Sequence, residues 1–159
     1  MSTIRHATSD DLDAILDLCE LKRLEYQDYQ PVFWHKAPDS RERQRPFLQA
    51  QLSRENVIAL VHERDRHVDG FIVAAIVPTP PVYAAGGPTC SVDDYWVREK
   101  ADWETVGDAL LGAVSEEARR RGACQMVVVC AQRDLPKSQM LRKQAYTVAS
   151  EWWVRPLNQ

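Results

Sequence analysis

The sequence lacks an apolar run long enough to cross a bilayer. Its longest, Phe71 to Val77, falls far short of the roughly 20 residues a spanning helix needs. The amino-terminal stretch MSTIRHATSDD has no apolar signal core, so a cytoplasmic, reducing setting is expected. Cysteine is scarce: Cys19, Cys90, Cys124 and Cys130 form no Cys-x-x-Cys pair and have no matched histidine spacing. Reduced thiols are therefore expected, with no zinc or other metal site and no disulfide framework. Basic charge is not in excess, since 20 lysines and arginines face 23 aspartates and glutamates for a net charge of −3. No global field draws such a chain to nucleic acid or to an anionic membrane. Repeats and low-complexity tracts are also missing. What remains is an ordinary globular composition, 45% hydrophobic and 27% charged, over 159 residues, which fits one domain spanning 1–159.

Organisation follows from periodicity. Thr3 to Ala7 reads as a short strand. Thr8 or Ser9 then caps a helix with Leu12, Ile15, Leu16, Leu18 and Cys19 at helical spacing, running to about Tyr29 before Pro31. Ser40 precedes a second helix expected to run through Leu52, with Pro46 as a point where it would split into two pieces. Val57 to His62 and FIVAAIV after Gly70 read as a hairpin, and Gly86 and Gly87 turn the chain back into a third long strand, Cys90 to Val97. Asp102 to Arg121 is helical in pattern, with Gly122 as a left-handed cap. The run QMVVVCA is apolar on both faces, as in a strand buried in the middle of a sheet. A short helix from about Pro136 to Gln144 and a last strand around Ser150 to Arg155 close the order. The string β, α, α, β, β, β, α, β, α, β predicts an α/β (α+β) fold. Its central sheet is mixed and mostly antiparallel, flanked by helices, with a right-handed β, α, β crossover into QMVVVCA.

At the strand-to-helix junction the chain reads DDYWVREKADWETVGDALLGAV. In element order and local sequence it resembles the Gcn5-related N-acetyltransferase (GNAT) family. That family's acyl-coenzyme A motif runs from a strand into Arg/Gln-x-x-Gly-x-Gly/Ala at the start of a helix with a Leu-Leu pair. Aligned without a gap, Val97 matches the strand end, Asp102 the Arg/Gln position, Thr105 and Gly107 the two glycines, and Leu110 and Leu111 the pair. A helix amino terminus offers unpaired N–H groups and partial positive charge to a pyrophosphate. The resemblance thus implies acetyl-CoA as co-substrate, its diphosphate held by Glu104, Thr105, Val106, Gly107 and Asp108. Departures from the motif are chemical: Asp102, Glu104 and Asp108 bring negative charge to that site, and Asp102 as an N-cap would occupy its donors.

The resemblance further implies that the strand holding Val97 and the strand QMVVVCA splay apart, with the pantetheine arm in the gap against backbone groups of Tyr95, Trp96 and Val97. Trp96 reads equally well as a core aromatic. The implied chemistry is acyl transfer to an amine, which needs a base for the ammonium proton and an acid for the departing thiolate. The family's acid is a tyrosine four residues before a Gly-Phe pair. Ala145 and Tyr146 fall on that pair and Leu141 on the tyrosine, so the proton comes from water or from a neighbour such as Ser138 or Cys130, or the reaction is not catalysed. Asp93 and Asp94, on opposite faces of one strand, are the candidate bases, with His62 and Glu63 behind them.

The acceptor pocket implied by the resemblance is walled by the first two helices and their loop. There Tyr26, Tyr29, Phe33, Trp34 and His35, with Tyr83 from the proline-rich hairpin, make an aromatic group suited to an apolar or cationic amine, or else a satellite core. Tyr29, Trp34, His35 and Tyr83 are the candidate acceptor contacts. Trp152 and Trp153 cannot both face inwards on a regular strand, which a homodimer contact would explain. The expected activity is N-acetylation of a small-molecule or peptide amine by direct transfer. The alternative is a non-catalytic acyl-CoA-binding regulatory or interaction module on the same fold.

Overall fold

The structure, a computed structural model, describes residues 1–158. Five strands form one sheet in the order β1 (Ser2–His6), β2 (Val57–Arg64), β3 (His67–Val77), β4 (Thr89–Val97) and β5 (Gln125–Val128). The first four pair antiparallel, and β4 and β5 run parallel, joined through α3 (Val106–Arg120). This is the mixed, mostly antiparallel sheet that the element order predicts.

The helices α1 (Leu12–Tyr29), α2 (Ser40–Leu52) and α4 (Leu135–Lys143) complete the layers. Residues directly opposite in β3 and β4 share a face, and side chains alternate along each strand. Ile72 and Tyr95 are opposite each other, and Tyr95 bonds to α3. Val73 and Asp94, one step along, belong to the face whose Asp94 pairs with Lys22 of α1. Gly70 lies on the α3 face because a β-carbon there would come within 2.7 Å of Val106 and 3.1 Å of Leu110. The core between the layers includes Ile15, Leu16, Leu18, Phe71, Ile72, Leu110 and Trp103.

Two irregularities of β4 position the site. Val73 pairs with Asp94 but Ala74 with Val92, so Asp93 is the extra residue of a β-bulge. On the opposite side, β4 and β5 stay paired from Thr89 with Gln125 to Val92 with Val128. One further bond follows, from the Val129 amide to the Val92 carbonyl at 3.1 Å. Beyond it β4 continues to Val97 with no strand on that edge among the described residues, and the two segments form a fork.

Four sequence expectations are corrected. QMVVVCA is not a central strand: only Gln125–Val128 is β, at the sheet's edge, with Val127 46% exposed. An apolar run marks a strand that something covers, but here only one face is covered: Met126 and Val128 pack on the core while Gln125 and Val127 are exposed. Ser150 to Arg155 is not a strand. Its β-formers find no ladder, and propensity without a packing partner is weak. Both tryptophans there are exposed, 79% and 87%, Trp152 lying edge-on to Phe33 at 5.8 Å. The third helix does not begin at Asp102: a 3-10 turn, Lys100–Glu104, comes first, and Thr105 is the N-cap of α3. Finally, α2 runs unbroken through Pro46, because Glu42, whose carbonyl loses its partner there, is exposed to water. Gly122 has φ +89° and caps α3 as expected. No helix among the described residues is long and apolar enough to cross a membrane.

Candidate active site

A cleft of about 560 Å³ opens between α1, the loop after it, the start of α2, the β4 bulge and the fork. Its aromatic wall follows from helical spacing and a short loop. Tyr26 is on the buried face of α1, and Trp34 and Phe33 fold back on it with ring centroids 4.7 Å (Tyr26 to Trp34) and 5.4 Å (Trp34 to Phe33) apart. Tyr26 also meets Trp96 edge-on at 5.9 Å, tying the loop to β4. His35 lines the same cleft.

Asp93 and Asp94 both line the cleft, although neighbours on a regular strand point to opposite faces. The bulge at Asp93 removes that alternation. Asp94 forms an ion pair with Lys22, and Gln44 donates a long 3.5 Å hydrogen bond to its other oxygen. Burial by itself pushes the Asp94 carboxyl up. The charge of Lys22, with Arg23 and Lys137 beyond, more than reverses this and holds it below the usual carboxylate range.

At the fork stands Lys137, 1% exposed, whose ammonium donates to the Val129 carbonyl at 2.7 Å. It lies 5.0 Å from the centre of the Tyr95 ring and 5.4 Å from that of Trp103. Among the described residues no carboxylate lies within salt-bridge distance of it, and burial lowers the ammonium to about 8, with Cys130, Asp134 and Asp94 pulling the other way. The Trp96 indole N–H is buried without an acceptor. Asp134, also buried, accepts from the Tyr26 phenol at 3.2 Å and from the Lys137 amide at 3.4 Å, capping α4. Burial pushes the Asp134 carboxyl up and the Cys130 thiol up to about 11.

At the other end of the fork, no side chain accepts from the amides of Thr105 to Asp108 among the described residues. The Thr105 amide and hydroxyl turn back to the Asp102 carbonyl at 3.2 and 3.4 Å. The acidic side chains expected to repel an anion are partly neutralised: Asp102 lies 3.9 Å from Arg64, and Glu104 pairs with Lys143. Gly107 faces inward, where a β-carbon would come within 2.7 Å of the Trp103 ring. Its buried Tyr95 neighbour donates a hydroxyl hydrogen bond to the Gly107 carbonyl.

The remaining candidates divide. Tyr95, Trp96 and Val97 are buried on β4 beyond the last β5 pairing. Tyr29 lies against Tyr26 with its ring tilted by 45° at 5.8 Å and donates to Glu25, behind the cleft wall. Tyr83 is exposed in a separate groove at the β3–β4 turn. His62 pairs with Asp69 and Glu63 with Arg5, both away from the cleft lining. Leu141 and Tyr146 pack on the core, and Ser138 donates to the Leu135 carbonyl at 3.1 Å. Sequence reading passed over Lys22, Asp134 and Lys137. A signal for two of them existed: Lys22 continues the Ile15, Leu18, Cys19 stripe of α1, and Lys137 shares the stripe of Met140 and Leu141 in α4.

A family model described as the acetyltransferase (GNAT) family matches residues 16–145. No curated protein matches the sequence. A predicted acetyltransferase with acetyl-CoA from Clostridium acetobutylicum is similar at TM-score 0.75 and 15% identity, over 99% of this chain and 97% of that one. A tetramutant of the BH1408 protein from Bacillus halodurans reaches 0.82 at 16%, over 98% and 99%. The aminoglycoside 6'-N-acetyltransferase AAC(6')-Ih of Acinetobacter baumannii gives 0.74 at 12%, over 100% and 99%. At such identities these likenesses establish the fold.

Proposed function

The chain belongs to the GNAT acetyltransferase family, and on that premise we propose that it transfers an acetyl group from acetyl-CoA directly to a primary amine of a small molecule or peptide. One observation carries this reading: the cleft walled by Asp93 and Asp94 opens on the fork between β4 and β5, lined by Lys137. Acceptor and thioester therefore have a common meeting place.

The residues present fit the co-substrate. The fork holds donors in want of an acceptor, the Trp96 indole N–H and the Lys137 ammonium, as a thioester carbonyl requires. Val106, Gly107 and Asp108 would hold the diphosphate through backbone amides that no side chain occupies, with Glu104 and Thr105 flanking it although the Thr105 amide already bonds the Asp102 carbonyl. Tyr95, Trp96 and Val97 would line the pantetheine arm. The co-substrate supplies an activated acyl group, and the chain supplies the rest. Asp94, kept ionised by Lys22, takes the ammonium proton of the acceptor, and Asp93 beside it orients the cation. Trp34 and His35 shape the acceptor's seat. Tyr29 backs it, and Tyr83 contacts an acceptor only if that acceptor extends to the hairpin.

The second reading, an acyl-CoA-binding module without turnover, draws on Leu141, a buried residue that donates no proton where the family carries a tyrosine. Calorimetry with coenzyme A and acetyl-CoA tests the first point: no heat at high micromolar ligand overturns both readings. Thiol release in the presence of a panel of amines then separates enzyme from binding module.

A further inference from the structure

A fully buried lysine is rare, and one without a carboxylate partner is rarer. Lys137 has three N–H donors and, among the described residues, one hydrogen-bond acceptor, the Val129 carbonyl, with the faces of Tyr95 and Trp103 beside it. Val129 is the last residue bonded to β4, so the ammonium stands at the point of the fork. α4 is held there deliberately: Asp134 caps it at the Lys137 amide and is itself held by Tyr26. The spare donors point to an anion that arrives only during function.

We infer that Lys137 carries the leaving group of the reaction: its ammonium faces the sulfur of the co-substrate and steadies the negative charge that develops there. The inference rests on the acetyltransfer reading. The acceptor nitrogen, having given one proton to Asp94, attacks the acyl carbon. The C–N bond forms, and the C–S bond breaks with its electron pair on sulfur. The thiolate stays paired with the Lys137 ammonium, the acetylated nitrogen gives its surplus proton to water, and Asp94 returns the first proton to solvent. An amide, a thiolate beside the unchanged ammonium and two released protons result. A lysine at about 8 is still charged near neutral pH, as this role requires. The groups that set its titration are Lys22 of α1, Asp94 of β4, and Cys130 and Asp134 between β5 and α4. Buried Leu141, at the family's tyrosine position, then needs no substitute of its own: the leaving sulfur is steadied one turn earlier on α4.

The test uses the full chain and coenzyme A itself. Bound beside an ammonium, the thiol ionises, so the wild type is expected to show thiolate absorbance on binding coenzyme A at neutral pH. It is also expected to bind coenzyme A at least ~10-fold tighter than desulfo-coenzyme A, which lacks the sulfur. K137M should lose both signatures and keep its affinity for the desulfo compound, while thiol release from acetyl-CoA falls by ~100-fold or more. K137R, which keeps the charge, should keep the thiolate signal and a measurable part of the turnover. Equal thiolate absorbance in wild type and K137M overturns the inference, as does a stable acetyl group found on Lys137 by mass spectrometry. Binding of coenzyme A by the wild type without a thiolate signal overturns the inference alone. Absence of binding overturns the acetyltransfer reading with it.

Discussion

The Tyr26 phenol donates to the Asp134 carboxylate over 3.2 Å, and through that bond α1 fixes the cap of α4 across 108 residues of chain. The same phenol accepts from the Ala131 amide at 3.4 Å, so it organises the whole turn between β5 and α4. Removing it strands a buried carboxylate, which costs more than the bond itself is worth. Y26F should therefore lower stability by about 1–3 kcal/mol in urea unfolding, although its ring still fills the site. Loss of the hydroxyl without measurable destabilisation would show that the cap does not depend on it.

Asp94 and Lys22 divide burial and charge between them. Burial pushes the carboxyl up and Lys22 pulls it down, with Lys22 prevailing. Because the folded value is depressed, this pairing stabilises the protein above the ordinary aspartate range and is lost as pH falls through the folded value. In K22M burial acts unopposed by that cation, so the acidic limb of kcat/KM should move to higher pH. D94N should reduce kcat by ~100-fold or more, and D93N, altering the more exposed carboxylate of the bulge, by clearly less. Full turnover in both aspartate variants removes the assignment of the base.

Much of this architecture is legible in the sequence because local period and global fold agree. The second helix ends at Leu52 as its pattern predicts and starts one residue earlier, at Ser40, and Gly122 ends α3 in the left-handed conformation its position demands. The site is less legible. The β-bulge that brings Asp93 and Asp94 into one cleft has no residue signature, since it arises from a register shift against β3. Strand burial at β5 depends on neighbours that a single run does not contain. Lys137 was the readable anomaly, a charge on an apolar stripe, which composition-level reasoning treats as surface.

Gly107 and Gly112 lie five residues apart on α3 and should respond oppositely to alanine. A methyl at Gly107 would meet the Trp103 ring at 2.7 Å and the Tyr95 hydroxyl at 3.3 Å, both side chains being buried. G107A should cost about 1–3 kcal/mol through overpacking. At Gly112 nothing lies within 4 Å, so G112A should add about 0.5–1 kcal/mol through helix propensity. Denaturant midpoints measure both. A neutral G107A would mean that the 3-10 turn holding Trp103 yields easily.

Burying Lys137 as an ammonium has a stability cost with a definite pH signature. Its value is lowered to about 8 in the fold, against about 10.4 for a free lysine side chain. Between those values the unfolded chain binds more protons than the folded one, so stability rises with pH there. Below about 8 both states are protonated and the cost is present in full. K137M removes the charge while keeping most of the side-chain volume, at the expense of the Val129 carbonyl's partner. It should therefore be more stable than the wild type at pH 7 by about 1–3 kcal/mol, and the difference should shrink as pH rises from 8 towards 10. Thermal unfolding across that range measures it. A variant less stable at pH 7, or a difference independent of pH, would mean that the ammonium is better solvated in the fork than its surroundings imply.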